Sequence, residues 1–169
     1  EPSRPLSISV NVSPRQFRTP GFVDRVQEII EETGVDPSRL MLEVTENLLV
    51  TQASEAITRM RTLADLGVRF SIDDFGTGYS SFAYLKHLPL NEIKIDKSFV
   101  DDVPGTPGDT AMVEAILAMA DRLGIEVVAE GVENREQFAY LKANRCGRFQ
   151  GFYFARPIPA RDWVAQHLE

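Results

Sequence analysis

Residues 53–73, ASEAITRMRTLADLGVRFSID, change their hydrophobic period halfway. Ala53, Ala56, Ile57, Met60, Leu63 and Ala64 recur at helical spacing, and Gly67 ends the run. Val68-Arg69-Phe70-Ser71-Ile72 then reads as a short strand that stops at Asp73. The unit is therefore an amphipathic helix, a glycine, and a short apolar strand tipped with an acid.

The same unit recurs on both sides. Upstream, Phe22, Val26, Ile29 and Ile30 predict a helix closed at Gly34, which suits the left-handed position of a helix C-terminus, before the strand Leu40–Val44 with Glu43. Downstream, Met112, Val113, Ile116, Ala120 and Leu123 lead through Gly124 into the strand Ile125–Ala129, which ends at Glu130. A weaker copy opens at Asn134, an N-cap with Gln137 in capping-box position, and reaches Gly147 and a strand from Phe149 to Phe154 carrying Gln150. Two further strands are expected, Leu6–Val12 with Asn11 and Glu92–Asp96 with Lys94.

Helices alternating with short apolar strands predict a parallel sheet covered by helices, either doubly wound or closed into a barrel. Polar residues near the C-terminal ends of successive strands favour the (β/α) barrel, which builds its site at that face, whereas an open sheet gathers ligands at one switch point. A closed barrel takes about 250 residues and eight strands. This chain has 169 residues and places about six strands. The expectation is a single partial domain over residues 1–169 whose first strands and helix are missing.

The bulk composition excludes several partners. With 43% hydrophobic and 25% charged residues the chain is ordinary for a globular protein. No apolar run approaches the ~20 residues that span a bilayer, so no membrane insertion is expected in this segment. A net charge of −7 speaks against DNA as a partner, since a phosphate backbone needs a basic surface. Cys146 is the only cysteine, which precludes an internal disulfide and fits a reducing, cytoplasmic setting.

Read along the strand ends, Asn11, Glu43, Asp73, Asp74, Lys94, Asp96, Glu130 and Gln150 would converge at one barrel mouth. Carboxylates crowded there raise one another's pKa unless a cation neutralises them. An all-oxygen set without His or Cys indicates a hard ion such as Mg²⁺, Mn²⁺ or Ca²⁺, and neither His87 nor His167 has metal-ligand spacing. Neighbours on a strand face opposite sides, so Asp73 and Asp74 reach one site only where the strand bends, and Gly76 and Gly78 are expected to supply that bend. A turn with two solvated aspartates is the alternative. Lys94 and Asp96 share one side of their strand, as a buried ion pair aimed at the mouth or as an edge-strand pair. Asp74-Phe75-Gly76 matches the kinase metal-binding triplet, but no accompanying nucleotide loop is present.

The segments taken together resemble the successive motifs of the EAL family, the cyclic di-GMP phosphodiesterases. They are Asn11-Val12-Ser13 with Gln16, Glu43-Val44-Thr45-Glu46, the run from Asp73 to Ser81, Lys94-Ile95-Asp96, Ala129-Glu130-Gly131-Val132-Glu133, and Gln150-Gly151-Phe152 through Pro157. The resemblance implies a TIM-like barrel of the EAL type. It implies that Asn11, Glu43 and Asp73 ligate one metal, that Asp73 bridges to a second held with Asp74 or Asp96, and that Glu130 completes or orients the cluster. Lys94 would hold the attacking water and Gln150 would position it from across the mouth. Glu46 would anchor the loop after Asp74, and Glu133 would support the site from behind. Two Mg²⁺ or Mn²⁺ ions, about 3.5–4 Å apart, would activate water and neutralise the phosphate oxygens, so that cyclic di-GMP is opened to linear pGpG.

The departures matter as well. The Glu-Ala-Leu segment that names the family is absent, which would remove one metal ligand and cripple hydrolysis by this segment alone. Arg145 and Gly147 stand where the family has Gly and Asp around its cysteine. The alternative function is a non-catalytic cyclic di-GMP receptor or protein-interaction module. The family also implies a homodimer and upstream regulatory or GGDEF-type domains.

Overall fold

The computed structural model describes residues 6–46, 48, 53–78, 85–105 and 107–167. The elements run β1 (Ile8–Val12), α1 (Pro14–Arg18), α2 (Phe22–Thr33), β2 (Leu40–Thr45), α3 (Ala53–Asp65), β3 (Arg69–Phe75), β4 (Glu92–Ile95), α4 (Lys97–Val100), α5 (Pro107–Leu123), β5 (Glu126–Ala129), α6 (Arg135–Ala143), β6 (Arg148–Phe149) and α7 (Ala160–His167). The strands form one sheet in the order β1-β2-β3-β4-β5-β6, every pair parallel. Spatial order equals chain order, so among the described strands there is no reversal and hence no switch point of the doubly wound kind. The chain forms an arc of a TIM-like (β/α) barrel.

Strand alternation divides the sheet into two faces. Outward, Leu42, Val44, Phe70, Ile72, Ile93, Ile95, Val127 and Ala129 pack with Met60 and Leu63 of α3, Val113, Ile116 and Ala120 of α5, and Leu141 of α6 in one core. Burying each large apolar side chain contributes about 1.5–3 kcal/mol, and this layer fixes the height of every strand end. The opposite face carries charge. Arg69, Ser71 and Asp73 alternate along β3; Glu92 and Lys94 do so along β4. At the N-terminal end of this face Arg69 pairs with Glu126 at 3.1 Å, and Arg148 spans Glu92 at 3.0 Å and Glu126 at 2.8 Å.

Two expectations are corrected. The last strand ends at Phe149 rather than Phe154, because Phe154 N–H turns back to the Gly151 carbonyl at 3.1 Å and leaves residues 151–154 in turns. Gln150 therefore lies just past the strand. The first strand begins at Ile8 rather than Leu6, where pairing with Leu40 starts.

Just past helix α6 and its cap residue Asn144, Arg145 adopts φ 66°, while Cys146 N–H reaches the Leu141 carbonyl at 3.0 Å. That left-handed position suits glycine. A side chain there costs about 1–2 kcal/mol, whereas glycine's larger unfolded-state entropy returns roughly 0.4–1 kcal/mol. Arg145→Gly is expected to raise stability by about 0.5–1 kcal/mol in urea melts.

Candidate active site at the C-terminal ends of the strands

The inward face builds the site because β2, β3, β4 and β5 each place an ionisable side chain at similar height. Register aligns Glu43 with Ser71 and Thr45 with Asp73, and sets Lys94 beside Val128, one inward step below Glu130. Lys94 lies at the centre, its side chain 8% exposed, with Nζ 2.8 Å from Glu43, 2.7 Å from Glu130 and 3.2 Å from Asp73. β4 is flanked by β3 and β5, so this is no edge-strand pair. Lys94 engages these three carboxylates on neighbouring strands rather than Asp96, the partner expected from strand alternation. Asp96 caps α4 instead, accepting from the backbone N–H of Ser98 at 2.9 Å and from the Ser98 hydroxyl, and lies beside Asp74.

The adjacent aspartates meet at a bend to which Gly76, at φ 99°, contributes as expected. Asp74 itself adopts φ 52°, within a register shift between Ile72 and Phe75 against β4. Aspartate tolerates that left-handed conformation better than most residues, and it turns both carboxylates to the mouth. Oxygens of Asp73, Asp74 and Glu130 all lie within 4.8 Å of one another.

The loop that follows is anchored from β2. The carboxylate of Glu46, 4% exposed, accepts from Gly76 N–H at 3.2 Å. It also lies so close to Gly78 that a Cβ there would sit 2.6 Å from Glu46 Oε1. Tyr79, Ser80 and Ser81 of the same motif lie outside the described residues. Asn11 pairs in register with Glu43 from the exposed strand β1. Gln150, exposed, lines the same cleft as Glu130 through its place after β6. Glu133 is not part of the Lys94 cluster; it binds Lys97.

The electrostatics follow from the crowding. Burial works against the Lys94 ammonium but is outweighed by its bonds to Glu130 and Glu43 and by the charges of Glu130 and Asp73, so its proton is held above the ordinary lysine range. Burial raises the Glu130 carboxyl, against the pull of Lys94, and the charges of Asp73 and Glu43 add to the rise. Asp74 is also raised, first by burial and then by Asp73 and Asp96. Asp73 Oδ1 is buried, and its 3.2 Å contact with the Lys94 ammonium is not an aligned hydrogen bond. A buried carboxylate oxygen with no aligned donor, set among other hard oxygen ligands, fits a divalent cation.

Strand alternation alone could have flagged what was overlooked. Arg69, Glu92, Glu126 and Arg148 each stand two or four residues before a site position on the same strand or just past its end, and so share its face. Lys97, which directly follows Asp96, was also missed, and Gly131, which directly follows Glu130, figured only within a motif.

A family model described as the EAL domain matches residues 1–157. The chain is 44% identical over 154 residues to the cyclic di-GMP phosphodiesterase NbdA of Pseudomonas aeruginosa, covering 91% of this chain and 20% of that protein. A solved complex of the MucR phosphodiesterase with c-di-GMP superposes with a TM-score of 0.90 at 42% identity, over 93% of this chain and 64% of that one. The same organism's MucR is described as a bifunctional diguanylate cyclase and cyclic di-GMP phosphodiesterase. Klebsiella pneumoniae BlrP1, solved with c-di-GMP and calcium or manganese, has a TM-score of 0.80 at 32% identity, over 89% of this chain and 39% of that one. The chain spans about a fifth of the length of these curated relatives.

Proposed function

The chain belongs to the EAL domain family, and on that premise we propose that it supplies most of a site that hydrolyses cyclic di-GMP to pGpG with two divalent cations, Mg²⁺ or Mn²⁺. The observation that carries the reading is the meeting of Glu43, Asp73, Asp74 and Glu130 around Lys94. Asn11, Glu43, Asp73, Asp74 and Asp96 would hold the cations. Bound there, cations supply charge to the phosphate and lower the pKa of an attacking water.

The chain's own residues do the rest. Lys94, released from part of its carboxylate load, directs a donor at the attacking water or a phosphate oxygen. Glu130, held beside Lys94 at 2.7 Å, is placed to accept that water's proton. Gln150 orients the water from the β6 side, and Glu46 holds the loop after Asp74 in place. Water adds to phosphorus, the bond to O3′ breaks, and one 3′-hydroxyl and one 5′-phosphate result. Glu133 acts from behind the site, through Lys97.

BlrP1's calcium and manganese complexes and MucR's cyclic di-GMP complex support the ligand and the hard-ion class. MucR's second activity supports an arrangement beside GGDEF-type or regulatory domains in a longer, cytoplasmic-facing signalling protein. No helix among the described residues is long and apolar enough to cross a membrane. Strand β1, exposing Ile8 and Val10 at 60% and 41%, gives a homodimer or the remainder of the barrel an edge to cover.

The test is pGpG release with Mg²⁺ or Mn²⁺, in the full-length protein and in the 169-residue chain. Turnover is expected in the first and a severe loss in the second, where β1 and β6 end the sheet. Tight binding of cyclic di-GMP without turnover by the full-length protein would establish the receptor reading instead.

A further inference from the structure

A cleft of about 580 Å³ runs outward from Glu130 and Gln150 to Phe152, Arg156 and Trp163. Its inner wall is acidic, yet the ligand proposed above is a dianion with two phosphodiesters, only one of which is cut at a time. Lys94, held among three carboxylates, is assigned above to the phosphodiester under attack and its water, and the Arg156 guanidinium sits 4.4 Å from the centre of the Phe152 ring at the outer end. Lys97 is the cation that stands beside the inner part of the cleft.

Its placement is over-determined. Gly131, at φ 69°, lies so close to the Lys97 stem that a Cβ on it would come within 2.3 Å of Lys97 Cγ. The residue after Glu130 thus forms a flat bed for the lysine's methylenes. The ammonium pairs with Glu133 Oε1 and lies 3.8 Å from Asp101 Oδ1. One buried amide fixes both of those partners: Gln137, 4% exposed, accepts from Glu133 N–H at 2.8 Å and donates to the Asp101 carbonyl at 3.3 Å. Such a scaffold would be surplus for an ordinary surface lysine, and it leaves part of a three-donor ammonium open to the cleft. A charge held beforehand costs little to reorganise when the ligand arrives.

We propose that Lys97, bedded on Gly131 and tethered by Glu133, is a substrate-positioning residue that holds the phosphodiester of the cyclic dinucleotide that is not being cleaved. The inference rests on the functional reading above and assigns a specific task within it. A hydrogen bond to a charged group contributes about 1.5–3 kcal/mol, roughly a 10- to 100-fold change in affinity.

The experiment compares the full-length protein with its Lys97→Ala and Lys97→Arg variants, using cyclic di-GMP as the probe. Lys97→Ala is expected to raise KM about tenfold or more, with the loss falling on KM rather than kcat. It should also flatten the dependence of KM on ionic strength, and Lys97→Arg should restore both. Where the unsubstituted protein binds without turnover, Kd takes the place of KM. A loss confined to kcat, or an unchanged KM and salt dependence, would show Lys97 to be only a pin between α4 and the loop after β5, and would overturn this inference alone. Failure of the unsubstituted protein either to bind or to hydrolyse cyclic di-GMP would overturn the functional reading, and this inference with it.

Discussion

Replacing Lys94 with methionine is expected to destabilise the cation-free protein by about 3–5 kcal/mol, the cost of breaking a buried ion pair by removing one partner. Methionine fills nearly the same volume, so little of the loss is a cavity. What remains is Glu43, Asp73 and Glu130 facing one another with no cation between them, Glu43 and Glu130 having been held at 2.8 and 2.7 Å from the ammonium. In this state Lys94 does the work that metal would otherwise do. The measurement is urea unfolding with chelator and again with Ca²⁺. A cation bound only by the folded state at about a hundred times its Kd returns roughly 2.7 kcal/mol. Calcium should therefore stabilise the variant more than the parent, since in the variant it no longer competes with an ammonium for the same oxygens. A variant as stable as the parent, or equal stabilisation of both by calcium, would mean that the carboxylates are already solvated and do not share one site.

The contrast between what the residues announced and what they withheld has physical causes. Helix–glycine–strand periodicity made the α/β repeat legible, because burial of the outward face demands apolar residues at fixed spacing and Ile72, Ile93 and Ile95 obey it. Sheet order was not legible from periodicity, which is the same in both wound forms; polar strand ends pointed to the barrel. The meeting of Glu43, Asp73, Lys94 and Glu130 could be anticipated because parallel strands deliver their ends to one rim. Their pairing could not, since it depends on register: Lys94 lies level with Val128 and beneath Glu130, a relation between strands that no local pattern encodes. The bend is shared: Gly76, at φ 99°, takes the positive φ expected of it, while a shift of register also puts Asp74 at φ 52°, which no local pattern encodes. The last strand was overextended because Phe152, Tyr153 and Phe154 carry strand propensity, which the turn back to Gly151 overrides.

Asp73→Asn should separate function from stability, with opposite signs. Around the mouth Glu43, Asp73 and Glu130 gather about the Lys94 ammonium with Asp74 and Asp96 alongside, and Glu130 and Asp74 are both raised partly by the charge on Asp73. Removing that charge while keeping the side chain's size relieves repulsion in two directions. Lys94 loses its longest contact, at 3.2 Å, and keeps its two shorter ones. The cation-free fold is expected to gain about 0.5–2 kcal/mol, the size usual for a single stabilising substitution. Turnover of cyclic di-GMP by the full-length protein should fall by about 10²–10³-fold, the scale on which loss of one preorganised charge-stabilising group acts. Urea melts in chelator and pGpG release in Mn²⁺ read the two halves separately. A less stable variant would mean that Asp73 is held chiefly as a partner for Lys94, and undiminished turnover would mean that its buried Oδ1 is no cation ligand. Only a carboxylate kept in place against its own repulsion, for the sake of a cation, predicts gain in the one measurement and loss in the other.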